Sequence, residues 1–199
     1  MKLGDVADVH IGVVLKRKEA VYKGNKTIKY KVFNIRCYEE KIEYDVFYSM
    51  EDLRGYITQK GDLIFRLSLP SKIILVDEKT EGLLINNLYC IIRCNNKKIN
   101  NKFLKWFLES KEASRQIETI IIGTAVKSIP VAKLRLIEIP NLTFKEQEKI
   151  SKLLSSWNKQ KKLYNQIIIE KDNYYNSIVN KVINGGEKIK WMKNNYRIK

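Results

Sequence analysis

The chain has 199 residues, and its 38 lysines and arginines outnumber its 22 aspartates and glutamates to give a formal net charge of +16. This length suffices for one ordinary domain with an appendage, or for two very small domains. Because 44% of the residues are hydrophobic, the composition excludes a disordered basic arm, and we expect the charge on a folded surface whose leading partner is nucleic acid.

The start of the chain, MKLGDVADVH, does not have the pattern of a secretory signal, because Asp5 and Asp8 stand where such a signal needs an apolar run. No stretch approaches the ~18 uninterrupted apolar residues that a membrane span requires. Cys37, Cys90 and Cys94 form no even, regularly spaced disulfide framework. We therefore expect a cytoplasmic protein without a membrane segment.

The region from Met1 to about Arg93 has the pattern of short strands and turns. YKVFNI, residues 30–35, alternates apolar and polar side chains and includes β-branched and aromatic members, as a half-buried strand does. KGDLIFRL and SKIILVDE flank Pro70, and GLLINNLYCIIRC follows Gly82; these segments are predicted as strands separated by turn residues. An irregular, mainly β region results.

A helix is predicted next, in NNKFLKWFLESKEASRQIET, residues 100–119. Phe103 and Phe107 lie at helical spacing, and Asn100 or Asn101 is suited to the N-cap position. We expect this helix to pack on the sheet.

A short apolar segment, LRLIEIP, then ends at Pro140. It is predicted as a returning strand that stops at the proline.

The last predicted element is a long helix. Thr143 and Glu146 form a capping box, which sets the helix start near Lys145, and the run ends at Gly185 and Gly186, which suit a left-handed C-cap. Alternate steps of four and three residues, typical of a coiled coil, connect Ile150, Leu154, Trp157, Lys161, Tyr164, Ile168, Lys171, Tyr175, Ile178 and Val182.

This stripe is wider than a two-helix seam requires. Further apolar side chains beside it are Leu153, Leu163, Ile167, Tyr174 and Ile183, so we expect the helix to pack against more than one neighbour. A globular domain cannot cover a rod of roughly 60 Å alone. Part of the stripe is therefore expected to meet a partner helix.

Groups suited to catalysis are scarce. His10, the single histidine, lies in an apolar alternation and fits a strand or surface position better than a base, and Cys90 and Cys94 lack a second pair or a nearby histidine for zinc. The sequence has neither GxGxxG nor GxxxxGK[ST]. We interpret the chain as a binder with no catalytic residues, no metal site and no cofactor.

The order of several motifs resembles that of a type I restriction-modification specificity subunit. The motifs are KLGDVADVHIG at the start, KGDLIFRLS, then GTAVKSIPVAKLRLIEIPNLTFKEQEKISKLL, and NKVINGG at the end. Gln147 and Ile150 lie within the family's pattern of a proline, a Glu-Gln pair and a leucine-rich helix. The resemblance spans nearly the whole chain.

The resemblance implies an α+β fold in which a mainly β target recognition domain with packed helices precedes a long coiled-coil-forming helix. It places the recognition domain at residues 1–141, the spacer and dimerisation helix at 142–185, and a basic tail at 186–199. Full-length members carry two recognition domains and two antiparallel helices, so this chain is similar to half a subunit. Two copies related by a dyad would read a palindromic, bipartite DNA site.

Residues of the apolar stripe are the candidates for the dimer or partner interface: Ile150, Leu154, Trp157, Tyr164, Ile168, Tyr175, Ile178 and Val182. The alternative is that they pack on their own globular domain.

Three segments are candidates for contact with double-stranded DNA, because cations meet phosphates and polar side chains read base edges. The first is LKRKEAVYKGNKTIKYK, for which an ordinary solvated hairpin is the alternative; the second is FRLSLPSK; the third is GTAVKS. Their candidate residues are Lys16, Arg17, Lys18, Lys23, Asn25, Lys26, Lys29, Arg66, Ser68, Lys72, Thr124, Lys127 and Ser128.

The leading functional hypothesis is a non-catalytic specificity subunit that docks a modification subunit, which carries the S-adenosylmethionine chemistry, and a motor nuclease subunit for restriction. A second is a regulatory or anti-restriction half subunit that exchanges with, or sequesters, resident subunits. A DNA enzyme is disfavoured by the scarcity of clustered His, Cys and carboxylates, and a generic coiled-coil protein would not explain the β domain.

Overall fold

Two β-sheets form the framework of the part of the chain that the computed structural model describes, residues 1–20, 26–34, 44–123 and 127–185. Seven strands are found within these residues: β1 Ala7–Ile11, β2 Ile28–Phe33, β3 Tyr44–Ser49, β4 Leu63–Arg66, β5 Ile73–Leu75, β6 Leu83–Leu84 and β7 Tyr89–Cys94. One sheet has the order β1-β7-β4-β5 with antiparallel neighbours. The other has the order β3-β2-β6, with β2 antiparallel to β3 and parallel to β6.

The four-stranded sheet is buried on both faces, and its central strand β4 shows this in consecutive residues. Leu63 and Phe65 face the main core, whereas Ile64, between them, faces a second cluster that includes Phe33 of the other sheet. Side chains alternate across a strand, so a run of apolar residues fills both sides. This explains why the sequence here is continuously hydrophobic.

Helices cover the outer face of the four-stranded sheet. Their bounds are α1 Leu3–Val6, α2 Asn101–Leu108, α3 Lys111–Ile120 and α4 Val131–Leu134. Phe103, Phe107, Ile117 and Leu134 from these helices are buried in the main core. The predicted packing of a helix on the sheet is confirmed.

The single helix predicted over residues 100–119 is two helices. α2 has Asn100 as its N-cap, and its chain turns at Glu109 before Ser110 caps α3 by accepting a hydrogen bond from the Ala113 N–H at 3.2 Å. The apolar spacing carried no sign of this break, because both helices bury the same kind of face.

The returning strand predicted to end at Pro140 is also different in the structure. Its first part belongs to α4, and extended pairing is limited to one antiparallel bridge between Lys2 and Glu138. The Ile139 N–H donates to the Met1 carbonyl at 2.7 Å. The segment therefore pairs with the first residues of the chain rather than forming a full strand.

Two predicted strands have other bounds. The strand predicted for residues 30–35 begins at Ile28 and ends at Phe33, so Asn34 is not part of it; Ile35 lies outside the described residues. The run after Gly82 divides into β6 and β7.

The long helix α5 spans Phe144–Gly185 and starts with the predicted capping box. The Thr143 N–H and hydroxyl donate to the Glu146 carboxylate at 2.8 and 2.7 Å, and the hydroxyl of Thr143 accepts from the Glu146 N–H at 3.4 Å. The Thr143 hydroxyl lowers the pKa of Glu146. Gly186 and the predicted basic tail, residues 186–199, lie outside the described residues.

The chain divides into two compact units, Met1–Ser151 and Lys152–Lys199. The first unit includes the opening turns of α5, because Gln147 and Ser151 are buried there against Asn100. The described part of the second unit is the remainder of α5. The α+β fold with a long terminal helix is confirmed.

None of the described helices is long and apolar enough to cross a membrane.

Candidate DNA interface

The first candidate segment places its cations around a short 3-10 turn at Leu15–Arg17. Lys16 and Arg17 are exposed, whereas Lys18 forms an ion pair with Glu51 at 2.6 Å. The Ala20 N–H donates to the Tyr48 carbonyl at 2.9 Å, so this segment runs along the end of β3.

The same segment continues into β2, where Lys29 stands directly opposite Tyr48 of β3. Lys26 and Lys29 are exposed. Lys31, on the same face as Lys29, holds its Nζ 4.5 Å from the centre of the Tyr44 ring. Lys23 and Asn25, which are also candidates, lie outside the described residues. The described cations of this segment thus flank an aromatic edge of the three-stranded sheet.

The second and third candidate segments meet in the structure. Ser68 and Ser128 form an antiparallel bridge, and the Ile129 N–H donates to the Leu67 carbonyl at 2.8 Å. Ser128 and Ile122 exchange two backbone hydrogen bonds of 2.9 and 3.0 Å, which pairs the end of the third segment with the residue that precedes it. Thr124 lies outside the described residues.

The side chains of these two segments form one polar surface, which we call the Ser68–Ser128 surface and define by Arg66, Ser68, Lys72, Lys127 and Ser128. The Arg66 Nε donates to the Ser68 hydroxyl at 2.9 Å, and the Arg66 N–H donates to the Lys72 carbonyl at 2.9 Å. Lys72, Lys127 and Ser128 are exposed. The surface combines cations with hydroxyls, as a surface that binds phosphates and base edges requires.

A turn that sequence reasoning missed, residues 86–88, lies between Val13, two residues before the first segment, and Leu67 of the second segment. The Val13 N–H donates to the Ile85 carbonyl at 2.9 Å, and the Asn87 N–H donates to the Val13 carbonyl at 3.0 Å. On the other side, the Leu67 N–H donates to the Leu88 carbonyl at 2.9 Å. The paired asparagines are a turn signal that the surrounding apolar run concealed.

The KGD motif has a structural role in this fold. Gly61 has a φ of +92°, which favours glycine, and Asp62 is buried. The Asp62 carboxylate accepts two hydrogen bonds from the Arg93 guanidinium at 2.9 and 2.7 Å, and a third from the Gln59 N–H at 2.8 Å. The motif thereby connects the start of β4 to the end of β7.

Most of the stripe on α5 is exposed within its own unit. Trp157, Tyr164, Ile168, Tyr175 and Val182 are each between 45 and 59% exposed.

The remaining stripe residues differ from these. Leu154 and Ile178 are half-buried, and Ile150 packs against the main core of the first unit. For Ile150, the structure supports the alternative, which was packing on its own globular domain.

The single histidine and the two described cysteines lie in different surroundings. His10 is exposed on β1, and no group of three or more His, Cys, Asp or Glu among the described residues could hold a metal ion. Burial raises the pKa of the Cys90 thiol, and burial also raises that of Cys94, to about 12. Both thiols are therefore protonated at neutral pH.

The family comparison matches residues 1–171 to the type I restriction modification DNA specificity domain. None of the curated proteins compared with the sequence matches it significantly.

Three solved structures are similar in fold. The HsdS subunit from Thermoanaerobacter tengcongensis has 16% identity and a TM-score of 0.65, with 89% of this chain and 46% of that chain covered. The type I restriction-modification S subunit from M. genitalium has 16% identity and a TM-score of 0.58, with 94 and 46% covered. A chain from a study of complex assembly and conformational transition of the type I R-M system has 14% identity and a TM-score of 0.68, with 96 and 49% covered. This chain thus spans about half the length of each.

Proposed function

Because this chain belongs to the family of type I restriction-modification DNA specificity domains, we propose that it is a non-catalytic, sequence-specific DNA-binding specificity subunit. Two copies pair through α5, and together they read a palindromic, bipartite site. Residues 1–141 act as the target recognition domain and residues 142–185 as the spacer. The dimer docks a methyltransferase subunit and a motor nuclease subunit in the cytoplasm.

The net charge of the chain and the location of its cations support double-stranded DNA as the partner. The chain carries +16, and the residues that bond to the 86–88 turn, Val13 and Leu67, each lie within three residues of a cation, Lys16 and Arg66. Such a distribution of cations attracts a polyanion. Hydroxyl groups of Ser68 and Ser128 stand among these cations, which suits contact with sugar, phosphate and base edges.

The observation that carries the pairing of two copies is the exposed stripe on α5. Side chains as large as Trp157, Tyr164 and Ile168 are more than half exposed along a helix of residues 152–185, about 50 Å long. A monomer in water would leave this apolar surface hydrated, whereas a second helix would bury it. The heptad spacing of the stripe is suited to coiled-coil pairing with α5 of a second copy.

The half-subunit proposal has further support from the comparisons. Three solved chains are each matched over less than half of their length, by one folded unit and one long helix of this chain. A dyad would supply the second recognition domain and the second helix.

The adenine methylation map of a host that expresses this chain with a modification subunit from the same type I system tests the proposal. We expect a new motif that is palindromic and has two parts separated by unread bases. A new motif without the palindrome would overturn the homodimer but keep DNA specificity. A complex that forms and yields no new motif would instead favour the regulatory half subunit.

A further inference from the structure

The 86–88 turn has a backbone that is held by two flanking segments, Gly12–Val13 and Leu67. Gly12 passes so close that a Cβ there would lie 2.1 Å from the Asn86 carbonyl oxygen. Val13 forms backbone hydrogen bonds with Ile85 and Asn87, the two neighbours of Asn86 in the chain. Leu67 forms a backbone hydrogen bond with Leu88. The turn is therefore preorganised before any ligand binds.

Local hydrogen bonds fix the turn further. The Asn86 side-chain oxygen accepts from the Leu88 N–H at 2.9 Å, and the Asn86 carbonyl accepts from the Tyr89 N–H at 3.1 Å. The Tyr89 ring is itself buried, with its centre 5.0 Å from that of Phe33 in an edge-on contact. Bending the turn away from its position would disrupt the interior between the two sheets.

The side chains at the tip of this fixed turn are exposed. Leu88 is 59% exposed, and Asn87 is exposed and makes no side-chain hydrogen bond within the described residues. The rigid backbone thus presents a free amide and an aliphatic group to solvent, as a binding tip does. Because the backbone is already ordered, binding a ligand here does not require further loss of backbone entropy.

The surroundings of the tip decide which ligand it fits. The turn itself carries no charge, whereas Lys16 follows Val13 by three residues on one side and Arg66 precedes Leu67 on the other. Ile122, which is 58% exposed, lies beyond Ser128 on the far side of the Ser68–Ser128 surface. Cations at the flanks suit the phosphates of the two strands, and a neutral tip between them suits the groove.

We infer that Asn87 and Leu88 read base edges in the major groove of double-stranded DNA, an inference that rests on the DNA-binding function proposed above. The Asn87 amide both donates to and accepts from the N6 and N7 edge of adenine, and the Leu88 side chain packs on the methyl group of thymine. These two groups lie on one turn, so they specify an A·T pair and its neighbour.

The test is the methylation map of hosts that express Asn87→Ala or Leu88→Ala with the same modification subunit. Each variant is expected to accept other bases at one position of each half of the motif, with discrimination there reduced about tenfold or more. The salt dependence of binding to duplexes of random sequence should stay unchanged, because neither side chain is charged.

Matched controls are Asn141→Ala and Leu136→Ala, which remove an exposed asparagine and an exposed leucine from the segment that follows α4. Both should keep the wild-type motif. Thermal melts of all four variants should coincide with that of the wild type, since the truncated side chains are exposed.

If the wild-type chain directs methylation of a motif and both Asn87→Ala and Leu88→Ala direct methylation of the same unchanged motif, this inference is overturned and the proposed function stands. A wild-type chain that binds no duplex DNA and directs no methylation would overturn the proposed function, and this inference with it.

Discussion

Gln147 connects the start of α5 to the N-cap of α2, because its side-chain oxygen accepts a hydrogen bond from the Asn100 N–H at 2.9 Å. Its amide nitrogen donates to the Leu142 carbonyl, also at 2.9 Å. Ser151, one turn further along α5, donates to the Asn100 side-chain oxygen at 2.9 Å. The glutamine of the family's Glu-Gln pattern is thus a buried structural residue of the first unit.

Gln147→Ala is expected to destabilise the first unit by about 1–3 kcal/mol, because it leaves the Asn100 N–H and the Leu142 carbonyl without their partners in a buried site. Urea unfolding measures the change. Gln160→Ala, at an exposed position of the same helix, is the control and should leave the midpoint unchanged. Equal midpoints for the two variants would mean that the Gln147 bonds contribute nothing.

Asp62→Ala is expected to cost about 2–4 kcal/mol, somewhat below the ~3–5 kcal/mol typical of breaking a fully buried pair, since the Arg93 side chain is 35% exposed. The loss also leaves the Gln59 N–H without its acceptor. Thermal and urea unfolding give the value. Asp52→Ala breaks the exposed pair with Arg54 and should give no measurable shift.

Gly12→Ala is expected to disturb the 86–88 turn, because the new methyl group would meet the Asn86 carbonyl at a distance that no real contact has. Lower thermal stability and a loss of sequence-specific methylation should occur together. Gly55→Ala is the matched change, since nothing lies within 4 Å of a Cβ at that glycine. A normal methylation map for Gly12→Ala would show that the close approach of Gly12 is not needed for recognition.

DNA affinity is expected to fall by ~10³ or more between about 50 and 200 mM salt, if roughly six phosphates are neutralised. Lys127→Gln should reduce the salt slope by about one unit. The control is Lys79→Gln, which removes an exposed lysine from another turn, whose Thr80 carbonyl accepts a hydrogen bond from the Thr58 hydroxyl. This variant should keep the wild-type salt slope. An affinity that does not depend on salt would remove the electrostatic basis of the proposal.

The double substitution Ile168→Glu and Tyr175→Glu is expected to convert a dimer into a monomer, because it places two charges in the apolar seam. Sedimentation or light scattering measures the mass. Asn173→Glu and Asn180→Glu introduce the same charges at the same seven-residue interval, on a face about 140° away. This control should remain dimeric, and a dimer that persists in both double variants would contradict the placement of the seam.

Features set by neighbouring residues could be predicted from the sequence. The capping box needs only Thr143 and Glu146, three residues apart, and the structure contains both of its hydrogen bonds. The alternation in β2 and the helical spacing of Phe103 and Phe107 likewise depend on local periodicity. Each of these predictions therefore identified the type of element.

Features set by distant residues could not be predicted in the same way. The segment before Pro140 was predicted as a strand, but its pairing depends on Met1 and Lys2 at the other end of the first unit. The meeting of Ser68 with Ser128 joins residues that share no local pattern. The position of the 86–88 turn could not be predicted for the same reason, because it depends on backbone hydrogen bonds to the distant residues Val13 and Leu67.

On the function proposed above, the division of α5 at Ser151 makes the length of the spacer separable from base recognition. Polar contacts that hold the start of the helix, from Thr143 to Ser151, all belong to the first unit. An insertion of one heptad after Ser151 would lengthen the remaining helix by about 10 Å and rotate its stripe by only about 20°. At ~3.4 Å per base pair, ten ångströms equal roughly three base pairs of DNA. Because α5 is the proposed spacer, we expect chimeras of this kind to change how far apart the two half-sites lie while each half-site keeps its sequence.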